Sequence, residues 1–176
     1  MPPTETSSPN LDLLRRLTAA EVDFVVVGGV AAALQGSSLV TVDLDLCAPF
    51  TQENLTRLLP VLVELHARFR AHPEHPALEN DPERFLRFRL LLLETALGPV
   101  DLLREIDGVG SFSDVERASE WLDLGELRVR VLGLEALIAA KRAAGRDKDL
   151  RALPELEATL RIRRQSGPGR EPPKSG

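Results

Sequence analysis

The sequence predicts a mixed α/β (α+β) domain, with a mostly antiparallel sheet, flanking helices and a helical C-terminal end. Three observations carry this prediction. Short β-branched or alternating runs recur between leucine- and alanine-rich stretches at helical spacing. Two pairs of strand-like runs meet at short glycine-containing turns, the pattern of antiparallel hairpins. The stretch leading to residue 165 reads as two successive helices.

The elements follow in order. Residues 1–10 (MPPTETSSPN) are rich in Pro, Ser and Thr and read as a disordered lead. Leu11 to Ala20 carries Leu11, Leu13, Leu14 and Leu17 at helical spacing behind Asn10 as N-cap. Asp23 to Val27 is a buried strand stopped by Gly28-Gly29, and Val30 to Gln35 is a short helix closed by Gly36. Thr41 to Leu46 (TVDLDL) alternates polar and apolar side chains, as a half-buried strand does, with Val42, Leu44 and Leu46 facing the core. Pro49 ends it. A helix is expected from Thr51 or Gln52 to about Phe69, followed by a Pro- and His-rich loop. Strands Arg87 to Glu94 and Val100 to Glu105 are expected to turn at Leu97-Gly98-Pro99. A second pair, Glu120 to Leu124 and Glu126 to Leu132, meets at Gly125. Helices Leu134 to Ala144, ending at Gly145, and Lys148 to Arg161 complete the domain of residues 11–164, and 165–176 is a flexible tail.

Composition narrows the function classes. A hydrophobic fraction of 43% over 176 residues is enough for one folded core. The net charge of −5 argues against a protein that grips a long phosphate backbone unaided. Aromatic residues at 4%, with no Tyr, argue against a base-stacking platform. The single cysteine, Cys47, forms no internal disulfide and is expected as a small buried hydrophobe. The N-terminal residues lack the pattern of a secretion signal, and no apolar run matches a bilayer span, so a cytoplasmic location with no membrane partner is expected. His66, His72 and His75 lack metal-ligand spacing and are expected at the surface; Arg84, Arg87 and Arg89 are expected on a solvated edge, and Trp121 in the core.

One combination carries chemistry: a strand, Gly28-Gly29, a short helix, then Asp43-Leu44-Asp45. The glycines let backbone N–H groups approach a phosphate, and a helix N-terminus beyond them adds favourable dipole charge. Asp43 and Asp45 lie two apart on a strand, so both carboxylates share one face, about 7 Å apart. A hard divalent cation such as Mg²⁺, shared with substrate phosphates, resolves that like-charge proximity. The plainer alternative is the wet face of an amphipathic strand.

The run DFVVVGGVAAALQGSSLVTVDLDL resembles the opening of the nucleotidyltransferase superfamily. The later run EALIAAKRAAGRDKDLRAL resembles the small AbiEii-type nucleotidyltransferases of toxin–antitoxin systems, at Lys141, Arg146, Lys148 and Asp149. The resemblance implies the nucleotidyltransferase fold and a nucleoside triphosphate (NTP) substrate. It implies Mg²⁺ (or Mn²⁺) on Asp43, Asp45 and a third carboxylate, for which Asp101 is the candidate. Asp101 would also orient or deprotonate the attacking hydroxyl, and two ions would brace the entering and leaving oxygens. Lys141 would neutralise triphosphate charge, with Asp149 beside it. Gly28 and Gly29 would cradle phosphate. Many superfamily members carry Ser where this chain has Gly29, so Ser37 or Ser38 would replace that hydroxyl, or backbone amides alone would serve. Plainer alternatives are an edge-strand charge for Asp101, a solvated helix residue for Lys141 and an Arg146 partner for Asp149. The acceptor would be a hydroxyl of an RNA such as tRNA, a protein or a small molecule, and a cognate antitoxin would be the partner. A catalytically silent binding or regulatory module on the same fold is the main alternative; a metal-dependent hydrolase is a third, in which the Gly-Gly pair has no clear task.

Overall fold

The computed structural model describes residues 8–38 and 41–166; the N-terminal lead and C-terminal tail expected from the sequence fall mostly outside these. Helix α1 (Pro9–Ala19) starts ahead of the expected Asn10 cap, because Ser8 holds the cap position and Pro9 occupies the first turn, where its missing N–H is no loss. Its Leu13, Leu14 and Leu17 are buried. Strand β1 (Val25–Val27) is fully buried, and α2 (Gly28–Leu34) follows it without a break. The glycine pair is therefore the first turn of the helix rather than a bend in front of it. Gly36, at φ 104°, follows the end of α2 as expected.

Strand β2 spans Leu44–Cys47, so Thr41, Val42 and Asp43 approach it without belonging to it. Val42 is 70% exposed, and the expected inward orientation holds only for Leu44 and Leu46. Helix α3 (Gln52–Glu64) is capped by Thr51, whose hydroxyl accepts from Asn54 N. Asn54 is itself buried and binds Asp23 N and O and Pro49 O. It thereby ties α3 to the segment before β1 and the one after β2. The helix stops short of the expected Phe69. His66 adopts a positive φ of 56°, and β3 (Arg68–Phe69) pairs at the sheet edge instead.

A one-turn helix α4 (Pro82–Phe85) interrupts the expected loop and buries Phe85. Strands β4 (Leu90–Thr95) and β5 (Gly98–Leu103) turn at Ala96-Leu97, so Gly98 and Pro99 lie inside β5 rather than in the turn. A small ribbon, β6 (Glu105–Ile106) with β7 (Gly110–Ser111), and helix α5 (Phe112–Arg117) were not anticipated. The hairpin of β8 (Ser119–Leu124) and β9 (Leu127–Leu132) and the helices α6 (Leu134–Ala144) and α7 (Asp147–Gln165) complete the chain.

The sheet runs β3-β4-β5-β2-β1-β9-β8. Among the described residues, four of its six neighbouring pairs are antiparallel; β2 with β5 and β1 with β9 are parallel. A large core includes α1, α3 and the inner sheet positions. A smaller one joins Leu134 and Ile138 of α6 and Ala152 and Leu156 of α7 to Ala32 of α2. That second core brings the C-terminal helices against the helix that begins at Gly28. Cys47 is buried, and burial pushes its thiol up to about 12, as suits a packing residue. The three histidines and Arg84, Arg87 and Arg89 are exposed as expected. Trp121 is not core: it stands 50% exposed on β8 beside Arg128 and Arg130. No helix among the described residues is long and apolar enough to cross a membrane.

Candidate active site

Strand register makes the site. In the parallel pair β2–β5, Asp45 lies directly opposite Asp101, and on the other side of β2, Val27 lies opposite Asp45. Leu44 and Leu46 are fully buried on the far face, so the sheet holds Asp45 and Asp101 side by side on the near one. Asp43 joins them from just ahead of β2. Its side chain is 47% exposed, against 18% for Asp101.

The glycine pair has a visible reason. Gly28 has φ 63°, and a Cβ there would sit 2.1 Å from Asp45 Oδ2; a Cβ on Gly29 would meet Thr41 at 2.8 Å. The Asp45 carboxylate thus occupies the space a side chain at 28 would fill, and the Gly29 N–H donates to it. Both glycines are required by the close approach of the chain leading into β2.

Burial pushes the Asp45 carboxyl up to about 6, and the charges of Asp101 and Asp43 add to the rise against the Gly29 hydrogen bond and Lys148. Asp101 is also raised, by burial first and by Asp43, while Arg70 and Lys148 oppose the rise. Arg70 was not singled out in the sequence. It follows β3, and its guanidinium donates from Nη1 to Asp43 Oδ2 at 3.3 Å and from Nη2 to Asp101 Oδ1 at 2.6 Å. The only hint was the polar-apolar-polar run Arg68-Phe69-Arg70, a strand period within a segment read as helix.

A cleft of about 390 Å³ meets this row of carboxylates at Asp45. Val27, Gly28 and Asp45 form one wall, Glu105, Ile106 and Asp107 another, and Lys141, Ala144, Arg146 and Asp149 the helical side. Asp43 and Asp101 do not line it. On the helical wall, Lys141 Nζ lies 3.3 Å from Asp149 Oδ1, and Arg146 Nε lies 2.6 Å from Asp149 Oδ2. Burial would raise the Asp149 carboxyl, but the hydrogen bonds from Arg146 and Lys141 outweigh it and hold the group below the usual range. Lys141 is therefore a largely buried, paired cation at the cleft, not a solvated helix residue. Ser37 and Ser38 are directed elsewhere: Ser37 Oγ donates to Glu155 Oε2 at 3.1 Å, and Ser38 N donates to Glu155 Oε1 at 2.6 Å.

Three carboxylates, two of them with raised pKa, are the donor chemistry of a hard divalent cation. As they stand, no three His, Cys, Asp or Glu side chains among the described residues converge to hold one, and Arg70 bridges two of the aspartates.

No protein-family model matches the chain, and no curated protein matches it. Among solved structures, a candidate nucleotidyltransferase from Thermotoga maritima superposes on 89% of this chain and 90% of its own, with TM-score 0.52 and 20% sequence identity. The antibiotic-resistance factor ANT(2'')-Ia, in its solution structure, matches 88% of this chain and 92% of its own at TM-score 0.49 and 17% identity. The first of these likenesses, with the strand order and flanking helices, defines the class: a protein of the nucleotidyltransferase fold. Neither likeness singles out the AbiEii-type subgroup.

Proposed function

We propose that the protein is a metal-dependent nucleotidyltransferase that moves a nucleoside monophosphate from an NTP to an acceptor hydroxyl. One observation supports this above the others: Asp45 and Asp101 face one another across adjacent parallel strands, with Asp43 on the same side and a cleft carrying Lys141 next to them. Asp43, Asp45 and Asp101 would hold Mg²⁺ or Mn²⁺, which supplies charge neutralisation at the phosphates and at the entering and leaving oxygens. Asp101, with its raised pKa, accepts the proton of the attacking hydroxyl. The oxygen–phosphorus bond forms at the α-phosphorus as the bond to pyrophosphate breaks. Lys141, held in place by Asp149, presents its charge to the triphosphate. Gly28 and Gly29 leave room for the Asp45 carboxylate and for Thr41, which lets the chain entering β2 set Asp45 at the cleft.

The working unit on this reading is one domain, residues 11–164, acting in the cytoplasm. The resemblance around Lys141 to Asp149 supports extending it to an AbiEii-type toxin with a cognate antitoxin. The acceptor would be a hydroxyl of an RNA end, a protein or a small molecule; the charge of −5 weighs against a tRNA held by a long contact, which needs a basic surface.

A second reading, a silent binding module, is favoured by the Arg70 clasp on Asp43 and Asp101. Incubation with each labelled NTP, Mg²⁺ or Mn²⁺, total RNA and cell lysate separates the two. Label on an acceptor, absent with Asp45→Asn, is the expected result. No transfer with any nucleotide or metal would sink the enzymatic reading; free pyrophosphate or phosphate without a labelled acceptor would indicate hydrolysis.

A further inference from the structure

Arg70 stands where the proposed chemistry needs a cation. Its backbone N–H donates to Leu92 O at 2.8 Å, which extends the β3–β4 ladder one residue beyond Phe69 and fixes the Cα at the sheet edge. Leu92 pairs with Asp101, and Asp101 with Asp45, so Arg70 begins a row that crosses the sheet to the aspartates. From there the side chain reaches over β4, and one guanidinium fork spans Asp43 and Asp101. A side chain built only to pin β3 to the sheet would not need that reach, since the backbone ladder already does so.

The side chain is also only partly buried, with 31% of it exposed. Arginine does not lose its proton in proteins, so this charge cannot be switched off and can only be moved. A divalent cation ligated by the same carboxylates would bring its charge to within about 2.0–2.2 Å of their oxygens. Asp101 Oδ1 cannot carry that ligand and a guanidinium nitrogen at 2.6 Å without setting two positive charges against each other.

We infer that Arg70 is a guanidinium placeholder that competes with the divalent cation for Asp43 and Asp101 and thereby sets its affinity. Without metal, Arg70 relieves the repulsion between Asp43 and Asp101 and keeps the two aligned. With metal, its fork is released toward solvent. The inference rests on the proposed metal-binding role of the aspartates and concerns the protein's own side chain, not the nucleotide. It also reconciles the carboxylate row with the absence of a converged metal cluster among the described residues.

The test is a Mn²⁺ titration of the full chain without nucleotide, followed by the electron paramagnetic resonance signal of free Mn²⁺. The proteins are the wild type, Arg70→Gln, Arg70→Lys and Asp45→Asn. Removing one charge-assisted pair from the ligand set predicts Mn²⁺ binding about tenfold tighter in Arg70→Gln. Arg70→Lys, which keeps the charge but cannot span both carboxylates, falls between that variant and the wild type. Asp45→Asn binds weakly or not at all. A second readout follows: Mn²⁺ raises the Tm of Arg70→Gln more than that of the wild type, from a lower starting point. If Arg70→Gln does not fold, the lysine variant alone still decides, since tightening is expected there too. Equal or weaker binding in the arginine variants, with Asp45→Asn still abolishing it, overturns the role of Arg70 and leaves the carboxylate site standing. No Mn²⁺ bound by any variant, or binding indifferent to Asp45→Asn, overturns the metal-dependent reading and this inference with it.

Discussion

Asp45→Asn is expected to make the protein more stable at neutral pH while abolishing the proposed nucleotide transfer. Burial and the neighbouring charges lift the Asp45 carboxyl from 3.8 to about 6. At about 1.4 kcal/mol per pH unit, that rise sets about 3 kcal/mol against the charged form. The unfolded chain releases this proton near 3.8 and the folded chain near 6, so between those values the folded state holds more protons. Stability therefore falls as pH rises through that window, and the loss is complete above about pH 7. Asparagine is neutral throughout, is nearly the same size, and its amide oxygen can still accept the Gly29 N–H. Its advantage should be small near pH 4, about half developed near pH 5, and at most about 3 kcal/mol at pH 8. Added salt should trim only the share owed to Asp101 and Asp43, because burial, the larger cause, is not screened. Urea unfolding followed by circular dichroism between pH 5 and 8 measures the difference. Equal or lower stability of Asp45→Asn at pH 8, or an advantage that does not shrink toward pH 5, would refute the electrostatic account of this site.

Two other substitutions probe the walls of the cleft. Gly28→Ala forces a Cβ into the space of the Asp45 carboxylate at a positive φ. It is expected to lower stability by at least about 1–2 kcal/mol and to reduce nucleotide transfer to the level of Asp45→Asn, as read by thermal melts and the labelling assay. Asp149→Ala leaves the largely buried Lys141 without its partner and should cost about 3 kcal/mol at pH 7. Because the Asp149 carboxyl is lowered in the folded state, its contribution is present above the unfolded value of 3.8 and fades as pH falls below it. A penalty that stays constant on acidification of the unfolding experiment would contradict that assignment.

Local chemistry was legible where the sequence carried a local signal. The Val25–Val27 run, the β8–β9 hairpin about Gly125 and the α6 helix ending at Gly145 all appear where period and turn residues placed them. The two-residue period sets Asp45 opposite Leu44 and Leu46 within β2 as expected, but Asp43 precedes the strand and its place beside Asp101 does not follow from that period. What stayed hidden is non-local. Nothing in the order of residues states that β2 and β5 pair in parallel with Asp45 opposite Asp101, or that a short edge strand carries Arg70 across to them. Strand β3 spans Arg68–Phe69, too short for its period to outweigh the helical pattern before it. Two misses were recoverable. Ser111 and Asp114 form a capping box that announces α5. The alternation of Trp121 with Leu122 and Leu124 sets the tryptophan on the open face of β8, where edge-strand geometry, not hydrophobicity, decides its exposure.

The cations around the cleft fall into two kinds, and the difference bears on how such a site could work. Lys141 is 14% exposed and is held by Asp149, which is 4% exposed and also receives Arg146. Moving Lys141 would leave a buried carboxylate short of a partner, a cost of several kcal/mol, so this charge is fixed. Arg70, 31% exposed, is about twice as open to solvent, sits at the sheet edge, and binds two carboxylates whose mutual repulsion a metal would relieve as well as it does. Its displacement is compensated by whatever replaces it. On the proposed function the two would divide the work: a permanent positive wall to receive polyphosphate, and a temporary one that keeps Asp43 and Asp101 aligned until the cation comes. The stability that Asp45 forfeits at neutral pH fits the same logic, because a carboxylate left content by its surroundings would have little reason to bind metal.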